Sequence, residues 1–175
     1  MKKKLQDLKE IIRDIPDFPK KGIIFKDITT LLAKGDIFQK VINQFVAQYK
    51  SQKIQIIAGI ESRGFIFGPT IAYKLKAGVV PIRKKGKLPY KTISASYALE
   101  YGTDTLEMHE DAIEPGTRVL IVDDLLATGG TAKATAELIE KAGGKIIGFA
   151  FLIELEFLEG RKKLKKYDVF SLIKY

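Results

Sequence analysis

The chain has no cysteine. That removes disulfides, thiolate nucleophiles and cysteine metal sites together. It has one histidine, His109, set in Met108-His109-Glu110, which does not make H-E-x-x-H; it reads as a polar residue on a strand. Neither a G-x-x-x-x-G-K-[ST] phosphate loop nor a G-x-G-x-x-G dinucleotide turn is present. Long apolar runs are missing too. Phe149 to Leu158 carries Glu154 and Glu156 and is too short to span a bilayer. Lys2 to Lys4 is followed by polar Gln6, Asp7, Lys9 and Glu10, not by the apolar core of a signal peptide. The expectation is a cytoplasmic protein with no membrane partner.

Acidic residues are outnumbered: 21 against 30 basic ones, a net charge of +9. Charge alone admits nucleic acid. The lysines are dispersed, however, and lack the interleaved aromatics of a base-stacking platform. No nucleic-acid partner is expected; a polyanionic substrate accounts for the run Arg83 to Lys87. With 175 residues, 46% of them hydrophobic, the chain is read as one domain over residues 1–175 with a real core.

The stretch that organises the rest is Val119 to Thr131. Val119 to Val122 is a short apolar run, as in a strand buried on both faces of a parallel sheet. Asp123 and Asp124 follow, then Ala127, Thr128, Gly129, Gly130 and Thr131, then a helical segment from Ala132 to Ala142. The small residues let backbone N–H groups approach an anion. The helix aims its dipole and unpaired amides at the same place. The hydroxyls of Thr128 and Thr131 add donors. Two carboxylates would repel a phosphate but suit sugar hydroxyls. The combination reads as a site for a phosphorylated sugar. A phosphorelay receiver, which can also carry an acidic pair after a strand, would need more chain beyond Asp124 than the 51 residues present.

Elsewhere, Leu5, Leu8, Ile11 and Ile12 predict a helix ended by Pro16 and Pro19. Residues 22–28 read as extended. Asp36 is placed to cap a helix with a stripe of Phe38, Val41, Ile42, Phe45, Val46 and Tyr49. Strands are expected at 54–58, 79–82, 92–101, 103–108, 145–153 and 169–173, with helices at 65–75 and 160–167. Alternating strands and helices predict an α/β fold: a parallel sheet flanked by helices, with a small antiparallel insertion around residues 90–110.

Val119 to Thr131 resembles the signature of the type I phosphoribosyltransferases, in the form used by their adenine branch. From Phe18 onward nearly the whole chain follows that pattern in order. The resemblance implies the type I fold with an N-terminal base-binding hood. It implies transfer of a 5-phosphoribosyl group from 5-phosphoribosyl-1-pyrophosphate (PRPP) to adenine, giving AMP and pyrophosphate. Asp123, Asp124, Ala127, Thr128, Gly129, Gly130 and Thr131 would bind PRPP or AMP. Gly59 to Phe65 resembles the pyrophosphate loop, which assigns Glu61, Ser62 and Arg63 to that role and puts a non-proline cis peptide at Glu61–Ser62. Read from the residues alone, Arg63 is either a phosphate fork or a solvated surface arginine. Val80 to Pro89 matches the next segment, so Arg83, Lys84 and Lys87 would neutralise pyrophosphate, some of them across the interface of a homodimer. Ala95 to Gly102 resembles the mobile catalytic loop, with Glu100 in proton transfer. Phe18 to Ile28 resembles the adenine segment: Phe25 would stack on the base, and the backbones of Ile24 and Lys26 would read its edge. The family often has arginine where Lys26 stands. Magnesium would arrive on PRPP, with no metal site built by the protein.

Overall fold

The computed structural model describes residues 8–98 and 102–175. It divides into two compact units, Met1–Gln44 and Phe45–Tyr175.

In the first unit residues 8–11 are helical. The predicted helix stops earlier than its prolines suggested: Arg13–Pro16 is a strand, β1, antiparallel to β2 at Ile24–Asp27. A β-ladder thus claims the residues before Pro16, a long-range pairing that periodicity does not reveal. Asp27 locks the end of this hairpin. It accepts the Thr29 amide at 2.9 Å and the Arg13 guanidinium at 2.6 and 3.0 Å. Those bonds hold its carboxyl at about 2. A one-turn helix, α1 at Thr29–Leu32, follows, and then α2 at Gly35–Tyr49, whose residues from Phe45 on belong to the second unit.

The second unit is a seven-stranded sheet in the order β5-β6-β4-β3-β7-β8-β9. The strands are β3 Ile56–Ile60, β4 Gly78–Lys84, β5 Thr92–Ala98, β6 Thr103–His109, β7 Arg118–Leu126, β8 Lys145–Glu154 and β9 Val169–Lys174. β4, β3, β7, β8 and β9 run parallel; β6 pairs antiparallel with β4 and β5. This is the expected parallel sheet with its antiparallel insertion. Helices α3 at Gly64–Leu75 and α4 at Gly130–Lys141 connect the parallel strands. The predicted helix at 160–167 is instead one short 3-10 turn, Gly160–Leu164, preceded by another at Glu156–Leu158. Predicted loop residues Arg83 and Lys84 are the last of β4.

The core is aliphatic and follows the predicted runs. Ile57, Ile60, Ile82, Val119, Leu120, Ile121, Val122, Phe149 and Leu152 are at most 1% exposed. At the C-terminal end of α2, Phe45 stacks edge-on against Phe67, and the Tyr49 hydroxyl donates to the Phe149 carbonyl at 2.9 Å. These strands put their C-terminal ends, and the turns leading into α3 and α4, on one edge of the sheet. Ligands of open α/β sheets bind at that edge. Among the described residues, no helix is long and apolar enough to cross a membrane.

Candidate active site

β7 runs further than its apolar residues do. Asp123, Leu125 and Leu126 pair with Phe151, Ile153 and Glu154 of β8, so both aspartates lie on the strand end. The chain then turns through Ala127 and Thr128 into α4. Gly129 holds φ at +76°, a left-handed conformation that glycine adopts without cost. No side chain caps the helix, so its first amides face a pocket lined by Asp123, Leu125 and residues 126–132. That is the geometry of an anion site.

The floor of this loop was not legible in the sequence. A Cβ on Gly129 would stand 2.5 Å from the Gly160 carbonyl oxygen. A Cβ on Gly160 would collide with the Ala127 carbonyl and lie 2.8 Å from the Gly129 amide. The loop and the 160 turn therefore meet backbone to backbone. The turn is anchored next door: Arg161 forks onto Glu154 at 2.8 and 2.5 Å and donates to the Val169 carbonyl at 2.8 Å. Gly160 lies between charged residues in Glu159-Gly160-Arg161, and no local pattern marks it as part of a binding loop.

Asp123 and Asp124 sit side by side, the Asp124 amide donating to Asp123 Oδ1 at 2.9 Å. Burial pushes the Asp123 carboxyl well above the usual carboxylate range, and the adjacent Asp124 charge adds to the push. Asp124 is raised too, by burial working against Arg63. Arg63 Nε reaches Asp124 Oδ2 at 2.9 Å. Arg63 thus joins the β3–α3 turn to the acid pair. Gly64 makes that approach possible: its Cβ would lie 2.8 Å from the Val122 carbonyl oxygen and 3.0 Å from Asp123 Oδ1.

The β3–α3 turn carries the expected cis peptide at Glu61–Ser62. Around Glu61 gather Arg83, near the end of β4, and Lys87, from the loop that follows. Its carboxylate accepts Lys87 Nζ at 2.6 Å, Arg83 Nε and Nη2 at 3.3 and 3.4 Å, and the Lys84 amide at 3.2 Å. Burial alone would raise this carboxyl, but Lys87 and Arg83 outweigh it and hold it at about 2. Arg83 also donates to the Lys87 carbonyl, and Glu107 accepts the Gly86 amide, which shapes the loop.

Lys84 points elsewhere, to Asp104 of β6 at 3.1 Å. The Tyr97 hydroxyl of β5 donates to the same carboxylate at 3.3 Å and interacts with the Thr131 side chain. The β5–β6 hairpin is tied in this way to the first turn of α4. Sequence reasoning missed Tyr97 and Asp104, whose partners lie on other elements. Glu100 lies outside the described residues.

In the first unit, Phe25 stands edge-to-face with Phe18 at 5.2 Å, and Lys26 pairs with Asp14 at 2.7 Å. Pro16 faces Ile24 in the ladder and has no N–H. Their pair therefore cannot exchange both hydrogen bonds.

A parallel α/β sheet whose glycine loop and bare helix end adjoin an acid pair defines a phosphosugar-binding protein. Residues 27–174 match the family model described as "Phosphoribosyl transferase domain". The chain is 60% identical to an adenine phosphoribosyltransferase of Brachyspira hyodysenteriae, over 97% of this chain and 99% of that one. It superposes on the crystal structure of adenine phosphoribosyltransferase from Thermoanaerobacter pseudethanolicus with a TM-score of 0.95 and 54% identity, covering 98% and 99% of the two chains. The Saccharomyces cerevisiae enzyme, solved with an imino-altritol bisphosphate and adenine, gives 0.94 and 42%, covering 99% and 100%. The chain belongs to the adenine phosphoribosyltransferase family.

Proposed function

We infer that this chain transfers the 5-phosphoribosyl group of PRPP to adenine, producing AMP and pyrophosphate in purine salvage. The observation that carries the reading is the uncapped N-terminus of α4, floored by Gly160 and bordered by Asp123 and Asp124. In this reading the 5′-phosphate lies on the amides of Ala127 to Thr131, with Thr128 and Thr131 as hydroxyl donors. The acid pair accepts from the ribose hydroxyls. Ser62, Arg63, Arg83, Lys84 and Lys87 bind the leaving pyrophosphate, and Glu61 holds Arg83 and Lys87. Displacement at the anomeric carbon passes through an oxocarbenium-like state, so the protein works by positioning, charge stabilisation and exclusion of water. Magnesium would arrive carried on PRPP and would supply further neutralisation there, with substrate phosphates as its ligands. The reading includes one domain, a cytoplasmic location and a homodimer, for which Ile66 and Tyr73, exposed on α3, supply apolar surface.

Ile24, Phe25 and Lys26 are the base-reading residues. Adenine offers an amino donor beside a ring acceptor, and hypoxanthine reverses the pair. A fixed backbone C=O and N–H match the first and leave two buried groups unpaired with the second, each costing about 1–3 kcal/mol. Sites of this kind discriminate by on the order of 10,000-fold. Turnover of adenine, hypoxanthine and guanine with PRPP tests the reading. Adenine should dominate, Phe25→Ala should weaken every base, and Lys26→Ala should keep the selectivity. Equal efficiency with hypoxanthine would refute the choice of base. For Glu100, Glu100→Gln should lower kcat by about 100- to 10,000-fold with little change in KM; a normal pH–rate profile would rule out its role.

A further inference from the structure

The cations assigned to pyrophosphate are already occupied. Lys87 and Arg83 both donate to the Glu61 carboxylate, which is only 11% exposed. Lys84 has a separate counter-ion in Asp104. Glu61 itself has nothing to donate to an anion: its amide is spent on the Ile82 carbonyl at 2.9 Å, and its side chain is ionised at any working pH. A residue of the pyrophosphate loop that offers no donor must act through the cations it holds.

We propose that the Glu61 carboxylate is a resident counter-anion, which holds Arg83 and Lys87 between turnovers and competes with pyrophosphate for them, so that it sets pyrophosphate affinity and release. The proposal rests on the functional reading above. Two adjacent cations stripped of an anion repel each other, and a cluster that relied on them alone would grip a highly charged product too firmly to let it go. Exchange of one anion for another keeps both steps near balance. Pyrophosphate wins while its charge is concentrated at the loop, and Glu61 returns as it leaves.

Glu61→Gln preserves shape and an acceptor oxygen but removes the charge. Calorimetric titration of the full chain with magnesium pyrophosphate should show binding tighter than wild type by about tenfold or more, the direction expected when a like charge within about 4 Å is removed. AMP affinity should hold, and pyrophosphate should become a stronger product inhibitor of the forward reaction. Glu61→Asp, which keeps the charge, should lie near wild type. Equal or weaker pyrophosphate binding by folded Glu61→Gln would overturn the proposal. Should that variant fail to fold, the wild-type chain with 13C-labelled glutamate carboxyls gives the answer. The Glu61 titration should move up from about 2 towards the ordinary glutamate value when magnesium pyrophosphate saturates the protein. A titration that stays in place would overturn the proposal. Failure of the wild type to bind pyrophosphate or to use adenine would instead refute the functional reading, and the proposal with it.

Discussion

Two strand-to-helix turns stand on neighbouring parallel strands of this sheet, and they treat their carboxylates in opposite ways. The β7–α4 turn uses backbone: a left-handed glycine, a bare helix end and a glycine floor. It adds two carboxylates that lack enough positive charge, and both are pushed up. The β3–α3 turn uses side chains: a carboxylate ringed by Lys87 and Arg83, held at about 2. Carboxyl acidity at a strand end is thus not one property. A carboxylate with cations in reach stabilises the fold. A carboxylate buried beside another carries a cost that substrate hydroxyls can relieve.

The comparison breaks most sharply at Gly129. Gly129→Val should abolish measurable PRPP affinity in titration calorimetry. A branched side chain meets both a φ of +76° and the Gly160 carbonyl, so the loop moves off its floor. This differs from the reason open space alone would suggest, since the new atoms collide with protein before they reach the phosphate. Wild-type affinity would show that the backbone does not make the site. Next comes Asp124→Asn. Loss of one charged acceptor for a sugar hydroxyl, and of the Arg63 pairing, should raise the KM for PRPP by about 10- to 100-fold. An unchanged KM would remove the acid pair from the ribose.

The smallest effect concerns stability, and it should have opposite signs at the two turns. Asp123 is raised in the folded state. Its charged form therefore opposes folding, and stability is lost as pH rises through the folded value. Asp123→Asn should raise Tm at pH 7 by about 2–4 °C, the shift that about 1 kcal/mol produces in a chain of this size. The gain should shrink as pH falls and the wild-type carboxyl protonates. Glu61 is depressed, so its contribution is full above the ordinary value of 4.5 and is lost as pH falls towards about 2. Glu61→Gln should therefore lower Tm at pH 7 and converge on wild type in acid. Calorimetric melts of the three proteins across pH decide the matter; shifts of one sign at both positions would mean that the two turns do not differ electrostatically.

What the sequence determined by itself was local. Alternating apolar runs and helical stripes marked the β3–α3 and β7–α4 units, because burial on a sheet face or a helix stripe repeats at a fixed spacing. Small residues before a helix marked the anion loop, because bulk and helix-end amides are properties of adjacent residues. Tertiary structure alone decided the rest. It placed Gly160 under Gly129, carried β7 through the acid pair by pairing it with β8, and brought Arg83 and Lys87 of the basic run onto Glu61. Arg83 and Lys87 lie 22 and 26 residues from Glu61. No pattern of neighbours says whether such charges meet in water or on one carboxylate. That meeting fixes which carboxyl groups are held low and which are pushed up, because electrostatic energy depends on distance and burial in space, not on separation along the chain.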